Sequence, residues 1–234
     1  STTSTNNVAV GFQAMKATTT GSSNVAVGKD ALLVSVSGAQ MTAVGALALS
    51  GALGLTADCT AVGYNALVGN TTGVQNTAVG SGAGASTTTG TNVTCIGYGA
   101  AASGATVSNE VTVGNASVTV SRIQVDWTIL SDGRDKTDIE DLDVGLDFVT
   151  KLKPRKFTWN ARGDSELKGY TQPGFIAQEV LDLEVSEGVR ETTHLVRDEN
   201  PDRLEWTPGK LVPVLVRAVQ ELAARNAALE ARMP

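Results

Sequence analysis

Small β-branched residues and glycines follow a pattern in residues 1–117 that repeats about every 17 positions. The residue before each repeating glycine, and the residue two positions earlier, are all valine, isoleucine or threonine. Side chains two positions apart point to one face of a strand, so each repeat predicts a short strand with a small residue, such as Ala26, on the opposite face. The glycine that follows allows a sharp corner. These glycines are Gly11, Gly28, Gly45, Gly63, Gly80, Gly97 and Gly114, separated by 17, 17, 18, 17, 17 and 17 residues.

Each repeat continues past its glycine with an alanine, in several repeats followed by Met15, Leu32, Leu49 or Leu67, and then a turn rich in small polar residues. We expect each coil to run strand, corner, strand, turn. Such a coil buries little apolar area alone, so neighbouring coils and other chains must cover it. The sequence predicts a mainly β fold over residues 1–117, a seven-repeat homotrimeric β-solenoid. A flexible linker, the alternative, would not keep valine and glycine in register over so many repeats.

The repeat at residues 60–67 reads Thr-Ala-Val-Gly-Tyr-Asn-Ala-Leu. It resembles the units of β-solenoids in trimeric bacterial adhesin heads and phage tail fibres. The resemblance implies a fibre that contributes to host attachment. A hydrolase acting on a host glycan is disfavoured, because the only acids of residues 1–109 are Asp30 and Asp58, which form no recognisable catalytic pair.

Charge divides the chain into two parts. Residues 1–109 contain four charged side chains, whereas residues 110–234 contain 22 acids and 16 bases and so carry the whole net charge of -6. Seven of the ten aromatic residues lie in the second part, where we expect the conventional core. An acidic, aromatic-poor chain is ill suited to nucleic acid, and no apolar run reaches the roughly 18 residues of a membrane helix. We expect neither partner, and the polar start without methionine indicates a piece of a longer protein.

The sequence predicts no metal site and no cofactor. Cys59 and Cys95 occupy different positions of the coil and are interpreted as small buried residues. His194 is the only histidine, so it cannot build a metal site; it lies in residues 190–197, an alternating polar stretch that predicts a surface strand. Glycine-rich phosphate loops and Cys/His clusters are missing from the sequence.

Residues 118–130 alternate apolar and polar positions, which predicts a strand that connects the solenoid to a second domain. Residues 131–234 predict a small α+β domain with an amphipathic helix in 143–152, a strand in 155–159, a short helix after 174–180 and a terminal helix over 208–232. This last helix either docks with two copies of itself as a coiled coil or packs on its own domain. Its four-and-three spacing runs through Leu211, Leu215, Ala218, Leu222 and Leu229, with Arg225 at one seam position.

The segment 131–140 concentrates charge: Ser131 and Lys136 flank Asp132, Gly133 and Arg134. Alone, this composition is also typical of a solvated loop. A serine hydroxyl needs a neighbouring base, and a lysine serves only when neutral, a form that burial favours. Residues five apart lie about 140° apart on a helix and on opposite faces of a strand, so a bend, for which Gly133 is the candidate, must join Ser131 to Lys136. The alternative is Lys136 of a neighbouring chain.

Residues 131–234 resemble the intramolecular chaperone domain of phage tail fibres and endosialidases, the self-cleaving peptidase family S74. The resemblance implies that Ser131 and Lys136 form a catalytic dyad, with Asp132, Gly133 and Arg134 in support. It also implies cleavage between Leu130 and Ser131 after trimer assembly, although a cut after Ser131 would leave the same motif. The matching pieces are Ser131-Asp132-x-Arg134-x-Lys136-x-Asp138-Ile139, Leu152-Lys153-Pro154-x-x-Phe157-x-Trp159, Gly174-Phe175-Ile176-Ala177-Gln178-Glu179-Val180 and Val212-Pro213-x-Leu215-Val216-x-Ala218-x-Gln220-Glu221-Leu222.

These observations together predict the C-terminal part of a trimeric phage tail fibre or spike. Its chaperone domain would drive trimerisation, act once as a serine endopeptidase on its own chain, and leave for the host cytoplasm while the fibre stays in the virion. The expected partners are two further copies and a host glycan or receptor. The alternative is a non-cleaving structural cap on an adhesin or receptor-binding fibre.

Overall fold

Seven short parallel strands stack in chain order along the first part of the chain. The computed structural model describes residues 4–53, 56–125, 127–160 and 167–233. Every strand pairs with the strand of the next repeat, for example Ala26 with Ala43 and Ala43 with Ala61. The predicted β-solenoid is therefore confirmed. The strands are β1 (Val8–Val10), β2 (Val25–Val27), β3 (Thr42–Val44), β4 (Thr60–Val62), β5 (Thr77–Val79), β6 (Val93–Ile96) and β7 (Glu110–Val113).

The two faces of this sheet differ in burial, as the alternation predicts. The central small residues of the strands, such as Ala43 and Ala61, are fully buried inside the coil, whereas Val44 and Val62 point outward and are exposed. In each of the first four coils one larger side chain, Met15, Leu32, Leu49 or Leu67, fills the interior beside the alanines. The solenoid core is consequently thin and made mainly of methyl groups.

The second strand predicted in each coil is wrong. In the first five coils, the residues two and four positions past the glycine take left-handed backbone angles, as Asn65 (φ 56°) and Leu67 (φ 50°) do. A backbone that alternates between right-handed and left-handed conformations forms successive turns and not an extended strand. The N–H of Ala66 bonds within its turn to Gly63, while the N–H of Leu67 bonds to Ala83 of the next coil.

The corner after each strand does require glycine. Gly63 has φ 135°, and a Cβ there would lie 2.5 Å from the carbonyl oxygen of Gly80 in the next coil. A Cβ at Gly45 or at Gly80 would likewise clash with the carbonyl oxygen of the corresponding glycine in the next coil. Stacked corners at strand spacing thus leave no room for any side chain.

The connecting strand predicted over residues 118–130 is not formed in the described residues 118–125 and 127–130. Val125, Trp127 and Ile129 are all more than three-quarters exposed. A strand needs a neighbouring strand for its N–H and C=O groups, and the described part of the chain provides none for these residues. Residues 118–130 therefore alternate apolar and polar positions in sequence, but their described part pairs with no other strand.

Backbone contacts divide the chain into a first unit up to Thr119 and a second unit from Val120 onward. The second unit is the predicted α+β region. Its helices and strands in chain order are α1 (Leu146–Lys151), β8 (Arg155–Thr158), β9 (Thr171–Gly174), α2 (Ala177–Ser186), α3 (Arg190–Thr193), β10 (Val196–Arg197), β11 (Glu205–Trp206) and α4 (Leu211–Glu230).

Two antiparallel pairs, β8 with β9 and β10 with β11, complete the unit, and its core lies between α1, α2, β10 and α4. A 3₁₀ turn (Pro208–Lys210) precedes α4, so the predicted helix start at Pro208 lies within one turn of the α-helix. The core side chains are Val144, Phe148, Leu152, Val180, Leu195, Val196, Leu211 and Val214.

The strand predicted for residues 190–197 is largely wrong. Residues 190–193 form α3, which ends at His194 with φ 42°, and only Val196 and Arg197 are in a strand. The carboxylate of Glu184 explains this local fold, since it accepts hydrogen bonds from Thr193 and from the N–H of Leu195. Tertiary contacts, which alternation does not encode, decide the backbone here.

Candidate active site

The side chains of Ser131 and Lys136 meet in the structure. Nζ of Lys136 donates a hydrogen bond to Oγ of Ser131 at 2.5 Å, within one chain. The sequence alone left open whether such a contact would form within a chain or between neighbours. A single copy is sufficient to bring the two groups together.

One 3₁₀ turn, Gly133–Asp135, makes this contact. Asp132 and Lys136 at its two ends are both extended, so the single turn folds the flanking backbone back on itself. The N–H of Lys136 closes the turn on the carbonyl of Gly133 at 3.3 Å. Gly133 itself does not adopt the left-handed conformation that glycine favours, and a Cβ at this position would meet nothing within 4 Å. The bend therefore depends on the capped turn and not on glycine.

Asp132 caps that turn and is held by Arg134. Its Oδ1 accepts from the backbone N–H of Arg134 at 2.9 Å, and Oδ2 accepts from the guanidinium Nη2 at 2.6 Å. Hydrogen bonds from Arg134 hold the pKa of the Asp132 carboxyl below its ordinary value, and the same contact raises the pKa of Arg134. The carboxylate nearest in sequence to Ser131 is thus engaged with arginine instead of lysine.

The whole segment lies at the surface of the unit. Leu130 is 95% exposed, and Ser131, Lys136 and the residues between them are exposed as well. A lysine can accept the proton of a serine hydroxyl only in its neutral form, which burial favours. The geometry of the pair is present, whereas the desolvation that would favour a neutral lysine is not supplied within the unit.

The described part of the chain holds no cluster of three or more His, Cys, Asp or Glu side chains suited to a metal ion. None of its helices is long and apolar enough to cross a membrane. Cys59 and Cys95 are buried free thiols, and burial raises the pKa of both, which makes them poor nucleophiles.

The sequence reasoning missed one buried ionic group, Glu184. It is fully buried and accepts from Thr193, from the N–H of Leu195 and from Arg190, which also pairs with Asp198. Glutamate is mostly exposed in proteins, so its residue type gave no signal of burial, although Glu184 follows the buried Val180 by four residues and shares its helix face. Its hydrogen bonds tie α2 to the end of α3 and to the start of β10, which is a structural role.

Comparisons with known proteins bear on the segment that holds Ser131 and Lys136. No curated protein and no solved structure matches the chain. Residues 131–190 match the family model Peptidase_S74, described as chaperone of endosialidase. The match begins at Ser131 and includes the turn, α1, the β8–β9 pair and α2, while the solenoid and α4 lie outside it. The part of the second unit from Ser131 to Arg190 is therefore similar to the chaperone of endosialidase that the Peptidase_S74 model describes.

Proposed function

We propose that this chain is the C-terminal part of a homotrimeric phage tail fibre or spike. Its domain from Ser131 drives trimerisation and folding and then cleaves itself off between Leu130 and Ser131. The contact between Lys136 and Ser131 carries this proposal, because it joins a nucleophile to a base at the first residue of a family S74 match.

Exposed apolar surface on the solenoid supports self-association. The outward residue before each glycine forms one continuous column, because Val44 pairs with Val62 and Val62 with Val79 in exact register along the sheet. A contiguous apolar surface of this kind usually marks an interface. Five members of the column, Val10, Val44, Val62, Val79 and Ile96, are 36–56% exposed.

The proposed chemistry starts with neutral Lys136. Nζ accepts the proton of Ser131 Oγ, and Oγ attacks the carbonyl carbon of Leu130, the residue immediately before it. The bond from that carbon to the Ser131 nitrogen breaks, and lysine returns the proton to the departing nitrogen. An ester then joins the Leu130 carbonyl to Ser131 Oγ. Water hydrolyses the ester, leaving a carboxylate on Leu130 and a free amine and hydroxyl on Ser131. Each chain is cut once, since its nucleophile is part of its own substrate.

Assembly would switch this reaction on. Ser131 and Lys136 are exposed in the single chain, so neighbouring copies must supply the burial that favours a neutral lysine. Trimerisation at the C-terminal end also aligns the three solenoids, which reduces the entropic cost of their pairing. After the cut, the covalent link no longer keeps the chaperone near the fibre.

The same proposal places the two products. The fibre part remains in the virion tail and contacts a host glycan or receptor, and the chaperone part is released in the host cytoplasm. Neither nucleic acid nor a membrane is a partner in this proposal, consistent with a net charge of -6.

Intact mass of the boiled full chain tests the cleavage. We expect fragments 1–130 and 131–234 from the parent, and an uncut chain from Ser131→Ala and from Lys136→Ala. The mass of the smaller fragment separates a cut before Ser131 from a cut after it. Exposed residues of the same types provide matched controls: Ser121→Ala and Lys168→Ala should be cut like the parent.

Co-expression of Ser131→Ala with Lys136→Ala separates action within a chain from action between chains. The hydrogen bond within one chain predicts that neither variant is cut in mixed trimers. Cutting of the Lys136→Ala chain would assign the base to a neighbour. An uncut parent that is trimeric in solution would instead favour the non-cleaving structural cap.

A further inference from the structure

The proposed cut leaves both reacting groups on the same product. Ser131 becomes the first residue of the released part, and Lys136 lies on that part as well, so the hydrogen bond from Nζ to Oγ at 2.5 Å joins two groups that stay together. The turn Gly133–Asp135 that makes this contact, with its cap Asp132, also lies within the released part. The nucleophile is therefore not consumed by the reaction that it carries out.

The cut also creates a base that the uncut chain lacks. The nitrogen of Ser131 is an amide before the cut and an α-amine after it, attached to the same Cα as the serine side chain. An α-amine has an ordinary pKa of about 7.7 to 8.0, so an appreciable part of it is neutral near neutral pH without burial. A lysine base requires burial, which the second unit does not supply to the exposed Lys136. Terminal amines activate hydroxyl nucleophiles in this way in known enzymes.

The space in front of Ser131 is open. The acyl group that Oγ attacks in the proposed cleavage belongs to Leu130, which is 95% exposed and departs with the fibre part. Lys136 and the residues between it and Ser131 are exposed too, and a Cβ at Gly133 would meet nothing within 4 Å. Where neighbouring copies cover Lys136, the place that Leu130 leaves still accommodates a small acyl group.

We propose that the cut converts Ser131 into an acyl-acceptor site, which takes a small acyl group from an ester or a thioester and ends with that group on its own nitrogen. The site rests on the proposed function, because the cut is what frees the amine. It adds to that function a modification of the released domain by a second, external acyl donor.

The proposed reaction has two balanced steps. Oγ of Ser131 passes its proton to the α-amine and attacks the carbonyl carbon of the donor, while the hydrogen bond from Lys136 orients Oγ. The bond from that carbon to the donor's alcohol or thiol group breaks, and the ammonium gives the proton to the leaving group. The neutral amine then attacks the ester carbon, the bond to Oγ breaks, and a proton passes from nitrogen to Oγ. The product is an amide with a free hydroxyl, so each domain is acylated once.

The second step is the reverse of the first step of the proposed cleavage. In the cleavage the Leu130 carbonyl moves from the Ser131 nitrogen to Oγ, and hydrolysis of the ester drives the reaction. In the acylation a foreign carbonyl moves from Oγ to the same nitrogen, in the direction of the more stable amide. Both acceptor atoms belong to one residue, so the transfer has no translational entropy to overcome.

Treating the self-cut chain with p-nitrophenyl acetate tests the site. We expect the fragment that begins at Ser131 to gain an acetyl group, located on Ser131 by fragmentation in the mass spectrometer. Its rate should exceed at least several-fold that of Lys168, an exposed lysine of the same fragment. A cut fragment in which Ser131 reacts no faster than Lys168 overturns the acyl-acceptor site and leaves the proposed function standing.

Engineered cutting separates the hydroxyl from the amine. Replacing residues 127–130, all exposed, with the recognition site of factor Xa lets an added protease free residue 131 in any variant. The parent cut in this way should be acetylated at residue 131 at least several-fold faster than Ser131→Ala, which offers the amine without the hydroxyl. Equal rates would show direct reaction of the amine and overturn the site. A chain that is cut only by the protease, and is then acetylated at Ser131 faster than Ser131→Ala, would overturn the proposed self-cleavage and support the site.

Lys136 is the positioning residue of this site. Lys136→Ala, cut by the same protease, should lower the rate at Ser131 at least several-fold, and Lys136→Arg, which retains a donor, should recover part of it. The rate at Lys168 and the melting temperature should not change, because Lys136 is exposed. An unchanged rate in Lys136→Ala would overturn the site, since Ser131 would then react like the terminal serine of any unfolded peptide.

Discussion

Glu221 on α4 accepts a hydrogen bond from the backbone N–H of Leu146, the first residue of α1, at 2.9 Å. Gly145, at the N-cap position of α1, offers no side chain for this purpose. The carboxylate of a distant helix therefore caps α1 and places negative charge at the positive end of its dipole. Arg217 holds the same carboxylate through Oε1 at 3.0 Å. The C-terminal helix is thus tied by a specific polar contact to a helix within the family match.

Replacing Glu221 with alanine should destabilise the second unit by about 1 to 2 kcal/mol, because the N–H of Leu146 loses its acceptor. Urea unfolding followed by tryptophan fluorescence is a suitable measurement, since Trp127, Trp159 and Trp206 all lie in this unit. Glu221→Gln, which keeps an acceptor without the charge, should lose less than Glu221→Ala.

Gly145 provides the control for this contact. A Cβ at Gly145 would lie 2.6 Å from Glu221 Oε1, so Gly145→Ala should displace the cap. In the Glu221→Ala background the same substitution should cost clearly less. Strictly additive losses would show that Gly145 and Glu221 are not coupled.

Glu184→Ala should destabilise the second unit by about 3 to 5 kcal/mol, because it leaves buried polar partners without an acceptor. Glu184 is fully buried, and both the Thr193 hydroxyl and the N–H of Leu195 depend on it. Glu184→Gln retains one acceptor oxygen and should lie between the parent and the alanine variant. Chemical unfolding at neutral pH measures the loss.

Glu187→Ala, at the C-cap of α2, is the matched control. Glu187 pairs with Lys151 at the surface, where an ion pair contributes about 0 to 1 kcal/mol. Equal losses for Glu184→Ala and Glu187→Ala would mean that the burial of Glu184 does not determine its contribution.

The sequence predicts the solenoid well because its constraint is local and repeated. The repeating glycines, such as Gly63, are each required by the corner that follows their own strand. The outward valine or isoleucine before each of them recurs with the same spacing along the sequence. The curl after the corner was missed because it uses left-handed Asn65 and Leu67, and leucine gives no sign of that conformation.

In the second unit, too, the features set by neighbouring residues could be predicted from the sequence, whereas those set by tertiary contacts could not. The need for a bend between Ser131 and Lys136 follows from helix and strand periods, and the turn capped by Asp132 supplies it. The predicted spacing placed buried Leu211 and Ala218 in one row with exposed Leu215 and Leu222. A heptad pattern does not reveal which neighbour each face of α4 contacts. Contacts with α1, which depend on the folded domain, make that distinction.

Asn70→Ala should destabilise the solenoid by about 1 to 3 kcal/mol, and Cys59→Asn should restore much of the loss. In other coils a buried asparagine donates across the turn, as Asn76 does to Gly90 O at 2.7 Å. Cys59 occupies that position one coil earlier, and Asn70 donates to Gly73 O in its place at 2.9 Å. Thermal unfolding followed by far-ultraviolet circular dichroism reports the change.

Cys59→Ala in the Asn70→Ala background is the matched control and should restore nothing, because alanine has no donor for the Gly73 carbonyl. Cys59→Asn with Asn70 present should give little gain, since two amides would compete for one oxygen. Equal recovery with alanine and asparagine at position 59 would exclude the hydrogen bond as the cause.

Glu179 on α2 and Arg155 on β8 form an ion pair that predicts a pH-dependent stability. Nη2 of Arg155 lies 2.6 Å from Oε1 of Glu179, and hydrogen bonding from Arg155 holds the pKa of Glu179 below its ordinary value. A carboxyl whose pKa is depressed in the folded state stabilises above its unfolded pKa, about 4.3, and loses that effect as the pH falls through the folded pKa. The melting temperature of Glu179→Gln should therefore lie below that of the parent by a constant amount near neutral pH, and the gap should close in acid.

Salt and the partner substitution decide whether the pair causes this profile. Because both side chains are substantially exposed, the gap should shrink in about 1 M salt, where screening acts over roughly 3 Å. Arg155→Gln should give the same pH profile, and adding Glu179→Gln to it should cause little further loss. A gap between Glu179→Gln and the parent that persists unchanged in acid would assign the effect to packing of the side chain, since protonation of Glu179 would then have removed nothing.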